Sequence, residues 1–351
     1  MIECIFTIDY EIYGNGEGAL KDLVYEPARQ LKAIFDRAGA KFVVFVEAAE
    51  FEKIEEFQTD RSIGNVKRQI REFHEQGFEI GLHLHPQWCN ARHLDGKWLL
   101  DYSEYNLCPL RKERIAEIVD GSIGYLRNVL GVPDFRPLSF RAGNWLFQPT
   151  GTAATVLAEK GIKIDSSVFK GGRQHQHKLD YRRASRNGCY WTFRDDVATA
   201  DPAGTMLEVP IYTQPVPFWK MVTGKRAGLQ RKSSSGPRPL RQRLYRFLDL
   251  MRWSHPLKFD FCRMTLKELM SMTERVVQEE QKDQIECRPM VAIGHTKDLV
   301  DFKTVEAFLE YLKGRGIRIS VFEDFYRRCG IGTENRVAPI TLSCQPEAGL
   351  S

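Results

Sequence analysis

His83 and His85 stand two residues apart at the end of a short apolar run, Phe78 to Leu84, and Pro86 follows at once. On a strand, side chains two apart project from the same face, so the two imidazoles point one way. A proline directly after them ends the strand. Two neutral imidazoles converging from one strand end are half of a metal site. Alone they are equally compatible with two polar residues in a surface loop, so the question is whether distant segments supply the rest.

The first apolar run, Ile2 to Ile8, ends in Asp9-Tyr10-Glu11, which places two carboxylates on one side if the chain stays extended. By themselves they read as well as a solvated strand end. Arg141 lies in Ser139-Phe140-Arg141-Ala142-Gly143-Asn144-Trp145, Asp165 follows Ile162 to Ile164, and His295 follows Met290 to Gly294. Zinc and similar ions accept imidazole and carboxylate and leave one position open in a catalytic site. One carboxylate and two histidines around an open position is a hydrolytic arrangement. A second carboxylate can serve as general base, and a histidine across the site can protonate a leaving group. Arginine beside the base would hold it ionised.

These groups need elements to carry them. Pro27 opens a helix with Leu31, Ile34 and Phe35 on its apolar face, ending near Gly39. Lys41 to Val46 is a continuous apolar strand, the pattern of a sheet buried on both faces. Asn65 to Gln76 is a second helix, followed by the histidine strand. Strand-helix-strand-helix-strand implies parallel strands with right-handed crossovers, and in such folds the site lies at the carboxyl ends of the strands. Asn90 to Asn106 reads as a polar loop. Helices follow over Leu110–Leu130 and Thr150–Lys160, a hairpin over Tyr190–Arg194 and Met206–Ile211, then a helix Thr265–Gln278, a helix Val305–Gly314 and a last strand Ile317–Val321. Residues 331–351 show no period and read as a tail. The expected architecture is one α/β domain over 1–330, a deformed barrel of about seven parallel strands.

An insertion at about 216–257 interrupts the pattern. It is rich in Lys and Arg, with Lys225, Arg226, Arg231 and Lys232 among them, and interleaves aromatics. A loop plus a helix docked on the barrel is one reading. The other is an electrostatic patch for an anionic or lipid-linked substrate, or for peripheral contact with an acidic membrane surface over 216–253. The net charge of +5 over 351 residues is too mild for a nucleic-acid binder. No apolar run reaches the roughly 20 residues of a membrane-spanning helix, and no leader pattern opens the chain. Eight scattered cysteines without a CxxC pair point to reduced thiols and a cytoplasmic location.

In this order, the strand-end motifs resemble those of the polysaccharide deacetylase family, also known as carbohydrate esterase family 4 or the chitooligosaccharide deacetylase superfamily. The resemblance covers roughly 1–170 and 256–325. Its carriers are Thr7-Ile8-Asp9-Tyr10-Glu11, His83-Leu84-His85, Arg141-Ala142-Gly143-Asn144-Trp145, Asp165-Ser166-Ser167 and Ile293-Gly294-His295. By resemblance, Asp9 is the base, Glu11, His83 and His85 are the ligands of a divalent metal (zinc first, then cobalt, manganese or nickel), and His295 is the acid, oriented by Asp165. Arg141 supports Asp9.

Two departures stand out. The acids of the first motif are spaced as D-x-E. The histidines are two apart where the family usually has four, with Gln87 at the second histidine's place and His93 as a weaker substitute. The phrase Gly81 to Pro86 is similar to a branch labelled WalW and associated with lipopolysaccharide assembly. The resemblance implies metal-assisted removal of an N- or O-acetyl group from a carbohydrate, with Trp88, Asn144 and Trp145 facing the sugar. The alternatives are an amide hydrolase for a non-sugar substrate and a carbohydrate-binding homologue without catalysis.

Overall fold

The computed structural model describes residues 1–185, 188–221, 223–233, 253–282 and 287–328. The expected tail at 331–351 and the larger part of the insertion lie outside them.

Nine strands form one sheet: β1 (Ile2–Tyr10), β2 (Val43–Glu47), β3 (Glu79–Leu84), β4 (Ser139–Ala142), β5 (Ile164–Asp165), β6 (Trp191–Phe193), β7 (Met206–Glu208), β10 (Arg288–His295) and β11 (Arg318–Ser320). Two further strands, β8 (Thr213–Val216) and β9 (His255–Lys258), make a separate antiparallel pair. The sheet order is β6-β7-β5-β4-β3-β2-β1-β10, with β11 also paired to β1. Only the β6–β7 pairing is antiparallel, as expected of a hairpin. Isolated bridges from Ile211 to Phe169 and to Val291 span the gap between the two sides of the sheet. The result is the expected deformed barrel, closed on one side by single bridges.

The strands are buried because helices cover the outside. Pro27 sits in the first turn of α1 (Glu26–Ala38), whose cap Gly39 is left-handed at φ 64°. Phe35 of α1 packs edge-on against Phe6 of β1 and against Phe42, with ring centroids 5.1 and 4.9 Å apart. Phe42 in turn meets Phe73 of α3 (Ile63–Glu75) and Phe78. Each fully buried Phe of this seam contributes about 1.5–3 kcal/mol. A helix absent from the sequence reading, α2 (Ala48–Glu56), starts directly on the last residue of β2. With no loop residues between them, the change of period had no boundary to mark it. The expected loop at 90–106 contains a small hairpin, Arg92–Leu94 with Lys97–Leu99. Further helices are α4 (Lys112–Leu130), α5 (Gly151–Glu159), α6 (Gly224–Ser233), α7 (Leu266–Lys282), α8 (Phe302–Gly314) and α9 (Phe322–Arg328), with a single turn at Phe218–Met221.

Strand register sets the rim. Asp9 is level with His295 on β10, Glu47 with His83 on β3, and His83 with Arg141 on β4. Parallel pairing thus brings four expected motifs to the rim before any side chain is considered.

Two expectations change here. In the insertion, the Lys225 ammonium bonds Asp301 at 3.1 Å and the Met264 carbonyl at 2.8 Å, and Arg226 pairs with Glu268 at 2.6 Å. These charges fasten α6 to the barrel and are not free to attract an anion. Among the cysteines, Cys4, Cys89, Cys108 and Cys262 are free, whereas Cys189 and Cys287 are disulfide-bonded. Spacing rules miss this because the segments meet only in space: a Cβ on Gly188 would lie 2.9 Å from the Arg288 side chain. Disulfides persist in oxidising compartments, so the cysteines no longer argue for the cytoplasm. No helix among the described residues is long and apolar enough to cross a membrane.

Candidate active site

Six expected residues converge at the carboxyl rim of the sheet. Glu11 Oε2 lies 3.1 Å from His85 Nε2 and 3.5 Å from His83 Nε2. One ligand atom from each of these residues falls within a 4.8 Å group, and Asp9, Glu11 and His295 form a second such group. All are buried.

The first group fits a divalent cation better, because of where the protons must be. His83 Nδ1 is 2.8 Å from the Arg141 carbonyl, an acceptor, so Nδ1 carries a hydrogen and Nε2 is the nitrogen that a cation would take by displacing its proton. That Nε2 is buried and has no hydrogen-bond partner. An imidazole anchored by one nitrogen and bare at the other is the arrangement of a metal ligand. In the second group, Asp9 Oδ1 is already engaged by Arg141 Nη1 at 2.7 Å. His85 is held by two carboxamides, with Gln87 Nε2 at 3.2 Å and Asn144 Nδ2 at 3.3 Å from its Nδ1. Gln87 Oε1 has no partner. Turning the Gln87 carboxamide over would let Oε1 accept from Nδ1–H and free Nε2 for a cation. Across this rim, Glu47 Oε1, His83 Nε2, Gln87 Oε1, Trp145 Nε1 and His295 Nδ1 are five of the nine buried side-chain atoms without a partner among the described residues. Such concentration marks a place built for something that binds.

Arg141 fixes the base. Fully buried, it donates from Nη1 to Asp9 and to Thr7 Oγ1 at 2.9 Å, and from Nε to the Ser166 carbonyl at 2.9 Å. Burial pushes Asp9 up, but Arg141 and the two facing histidines outweigh it and hold the carboxyl below its ordinary range. Burial likewise opposes the charge on Glu11; Lys297, 2.7 Å from Oε1, and His85 and His83 overcome it and hold Glu11 well below the carboxylate range. Burial disfavours a charged His83, yet Asp9, Glu11 and Glu47 raise it to about 9. Burial dominates at Glu47, raised to about 8, whose Oε2 accepts from the His85 backbone N–H at 2.7 Å, and at Glu50, raised well above its usual value.

His295 faces Asp9, Nε2 to Oδ2 at 3.4 Å, as expected of a group across the site. Its state differs from expectation: burial pushes it down to about 4, so it is neutral at pH 7. Asp165 does not orient it. Asp165 accepts from Ser167 Oγ at 2.7 Å and shares a buried hydrogen bond with Glu208, while His295 Nδ1 faces Asp298 at 4.0 Å. Asp165 stands on β5, which is not a neighbour of β10. Trp88 is also corrected: it is fully buried in a 3₁₀ turn with its ring 5.0 Å from Trp98, so it has no face for a sugar. Trp145 is half-buried and edge-on to His295 at 6.0 Å. Asn144 reaches His85. His93 lies on the small hairpin against Trp98.

Gly143 packs so tightly that a Cβ would sit 2.5 Å from the Leu84 carbonyl and 2.7 Å from the His85 ring. Asn144 and Trp145 follow at φ 54° and 59°, a left-handed pair of non-glycine residues. Backbone strain of this kind collects at functional sites. The Trp145 carbonyl is held by the Tyr181 hydroxyl at 2.7 Å.

Lys297, two residues beyond His295, has no role assigned from the sequence, and Gln87, two beyond His85, is noted there only as standing in a histidine's place. Both lie where a strand-end turn would have pointed. Glu50 was hidden with α2. Two surface cavities, about 440 and 310 Å³, lie away from this rim, one beside Arg37 and Glu306 and one beside Lys220 and Met272.

No family model matches the sequence, and no curated protein matches it. Solved structures do. A chain from Mycobacterium smegmatis assigned as a polysaccharide deacetylase is similar at a TM-score of 0.50 and 13% identity, covering 93% of this chain and 89% of that one. A GH57 branching enzyme from Thermococcus kodakaraensis is similar at a TM-score of 0.53 and 13% identity, covering 93% and 70%. The fold is therefore the deformed (β/α) barrel of polysaccharide deacetylase type. That barrel also carries other sugar chemistry, so the function must be argued from the site.

Proposed function

We propose that the chain is a divalent-metal-dependent hydrolase that removes an acetyl group from a carbohydrate. The observation that carries this is the convergence of Glu11, His83 and His85 beside a carboxylate, Asp9, that Arg141 keeps ionised. Two imidazoles and one carboxylate suit zinc first, with cobalt, manganese or nickel as substitutes. When bound, such an ion would polarise the acetyl carbonyl and acidify water.

The chain's own residues do the rest. Asp9 Oδ2, the oxygen not engaged by Arg141, takes a proton from the attacking water. His295 is neutral before reaction, so the proton it gives to the departing amine or alcohol reaches it from Asp9, 3.4 Å away. Trp145 stands beside His295 at the wall of the site. Gln87 and Asn144 hold the His85 ring in place.

The test is elemental analysis of the purified protein for bound metal, followed by acetate release from a panel of N- and O-acetylated sugars. One metal per chain and chelator-sensitive acetate release are expected. A metal-replete protein that releases acetate from no sugar would overturn the reading. A cytoplasmic site of action would require Cys189 and Cys287 to be reduced there; thiol labelling in freshly lysed cells reads this directly.

A further inference from the structure

Lys258 is the last residue of β9, opposite Thr213 of β8. Its ammonium lies 2.8 Å from the centroid of the Trp145 ring and 4.5 Å from that of Phe169. Trp145 is the residue whose edge meets His295, so Lys258 stands at the wall of the candidate active site. Taken as a whole residue, Lys258 is half-buried.

No carboxylate among the described residues comes within ion-pair distance of this ammonium. The acids that feel its charge are already engaged. Asp9 is bound by Arg141 at 2.7 Å; Asp260 accepts from the backbone N–H groups of Cys262 and Arg263 and has the Arg263 guanidinium 3.8 Å away. Arg263 itself is closest to Asp298. Burial pushes Lys258 well below the usual lysine range, so without a counter-ion its amine is held toward the neutral form and an arriving oxyanion would favour the ammonium. A ring face attracts a cation but leaves its outer hydrogens free to donate.

Resting on the deacetylase reading above, we infer that Lys258, presented on Trp145, is a binding site for an oxyanion carried by the substrate, so that the preferred substrate is an acidic acetylated sugar bearing a carboxylate or a phosphate. In the described part of the insertion, Lys225 and Arg226 are tied to Asp301 and Glu268, so these two do not supply the charge.

Three probes separate the possibilities: N-acetylglucosamine, its 6-phosphate, and N-acetylmuramic acid, which carries a carboxylate. Affinity is measured by calorimetry on the metal-replete protein, and acetate release is followed in parallel. At least one acidic probe should bind ten-fold or more tightly than the neutral one, and which one does identifies phosphate or carboxylate. That ratio should fall toward unity in Lys258→Met, persist in Lys258→Arg and shrink with added salt. The Asp9→Asn variant, still binding but not turning over, should keep the ratio. Equal affinity for acidic and neutral probes, an acidic preference that survives Lys258→Met, or no binding of any probe would each overturn the inference. Lys258-dependent binding without acetate release from any probe would sink the catalytic reading and leave the anion site standing.

Discussion

The two ends of the same sheet treat buried charge in opposite ways. At the amino edge, Glu3 is almost fully buried and accepts from Ser320 at 2.7 Å and from Arg328 at 2.9 Å. Arg288, equally buried, bonds Glu280 at 2.8 Å. Glu79 accepts from Ser139 at 2.6 Å and from the Glu323 backbone at 2.8 Å. At the carboxyl edge, Arg141 holds Asp9 and Lys297 holds Glu11; Glu47 and Glu50 have no ion pair among the described residues, and five polar atoms are left without partners. One edge is satisfied and holds the barrel shut. The other concentrates unmatched polar atoms, which suits the proposed cation and substrate. Buried polar groups left unmatched cost stability, so their concentration at one edge separates function from architecture within one fold.

The sharpest way to break this contrast is at Asp9. In the proposed mechanism Asp9 is the base and not a ligand, so Asp9→Asn should lower kcat on the order of 10²-fold or more and leave metal content unchanged. Loss of metal with the fold intact, read by elemental analysis and circular dichroism, would exchange the roles of Asp9 and Glu11. At the opposite edge, Arg328→Ala should cost stability and spare catalysis. It removes the cation from a buried carboxylate, and because Arg328 is itself partly exposed the expected loss is about 1–2 kcal/mol by denaturant titration. An equal loss of kcat in the folded protein would erase the distinction between the edges. Replacing Lys225 and Arg226 together by Ser should lower stability by about 1 kcal/mol, since both pairs are mostly shielded. A changed salt dependence of substrate binding with no change in melting would restore the electrostatic patch expected from the sequence.

The smallest effect concerns pH. Burial raises Glu79 to about 7, whereas burial at Glu3 is outweighed by Arg328, Ser320 and Arg318, which lower it. A carboxyl raised in the folded state contributes stability that is full below its unfolded value, near 4.5, and is lost as pH rises through about 7. Glu3 has the opposite sign: its contribution is present above the unfolded value and is lost as pH falls. Glu79→Gln should therefore flatten the decline of melting temperature between pH 5 and 8 relative to the parent protein. Parallel curves for parent and variant would place that titration elsewhere.

Much of the site was legible because topology does the positioning. In parallel α/β folds, strand ends share a rim, so Asp9, Glu11, His83, His85, Arg141 and His295 could be brought together from their places after apolar runs. Strand order was not legible, and that is where the reading failed. Asp165 also ends a strand, but β5 and β10 meet only through Ile211, and Asp165 supports Ser167 and Glu208 instead of His295. Trp88 has the composition of a sugar platform, but a 3₁₀ turn buries its ring. Lys258, just past the expected insertion, is not marked by the sequence, because nothing in its neighbours shows that β9 pairs with β8 and carries it to Trp145. Glu50 was missed because β2 runs into α2 without a break. Period, burial and strand ends are local and readable; which turn faces which strand is not.

Gly143 turns this geometry into a constraint on descent. The atom that any other residue would add collides with a backbone oxygen on one side and with the His85 ring on the other. The ring is the softer obstacle, so a mutation there would be absorbed by tilting a ligand before the strand moved. Gly143→Ala should thus be recovered from expression as folded protein with weakened metal retention, invisible to a screen for solubility and plain in a screen for activity. Lineages that kept the activity would then have no second letter to try at this position, while one that abandoned it could change Gly143 early and lose little of the barrel.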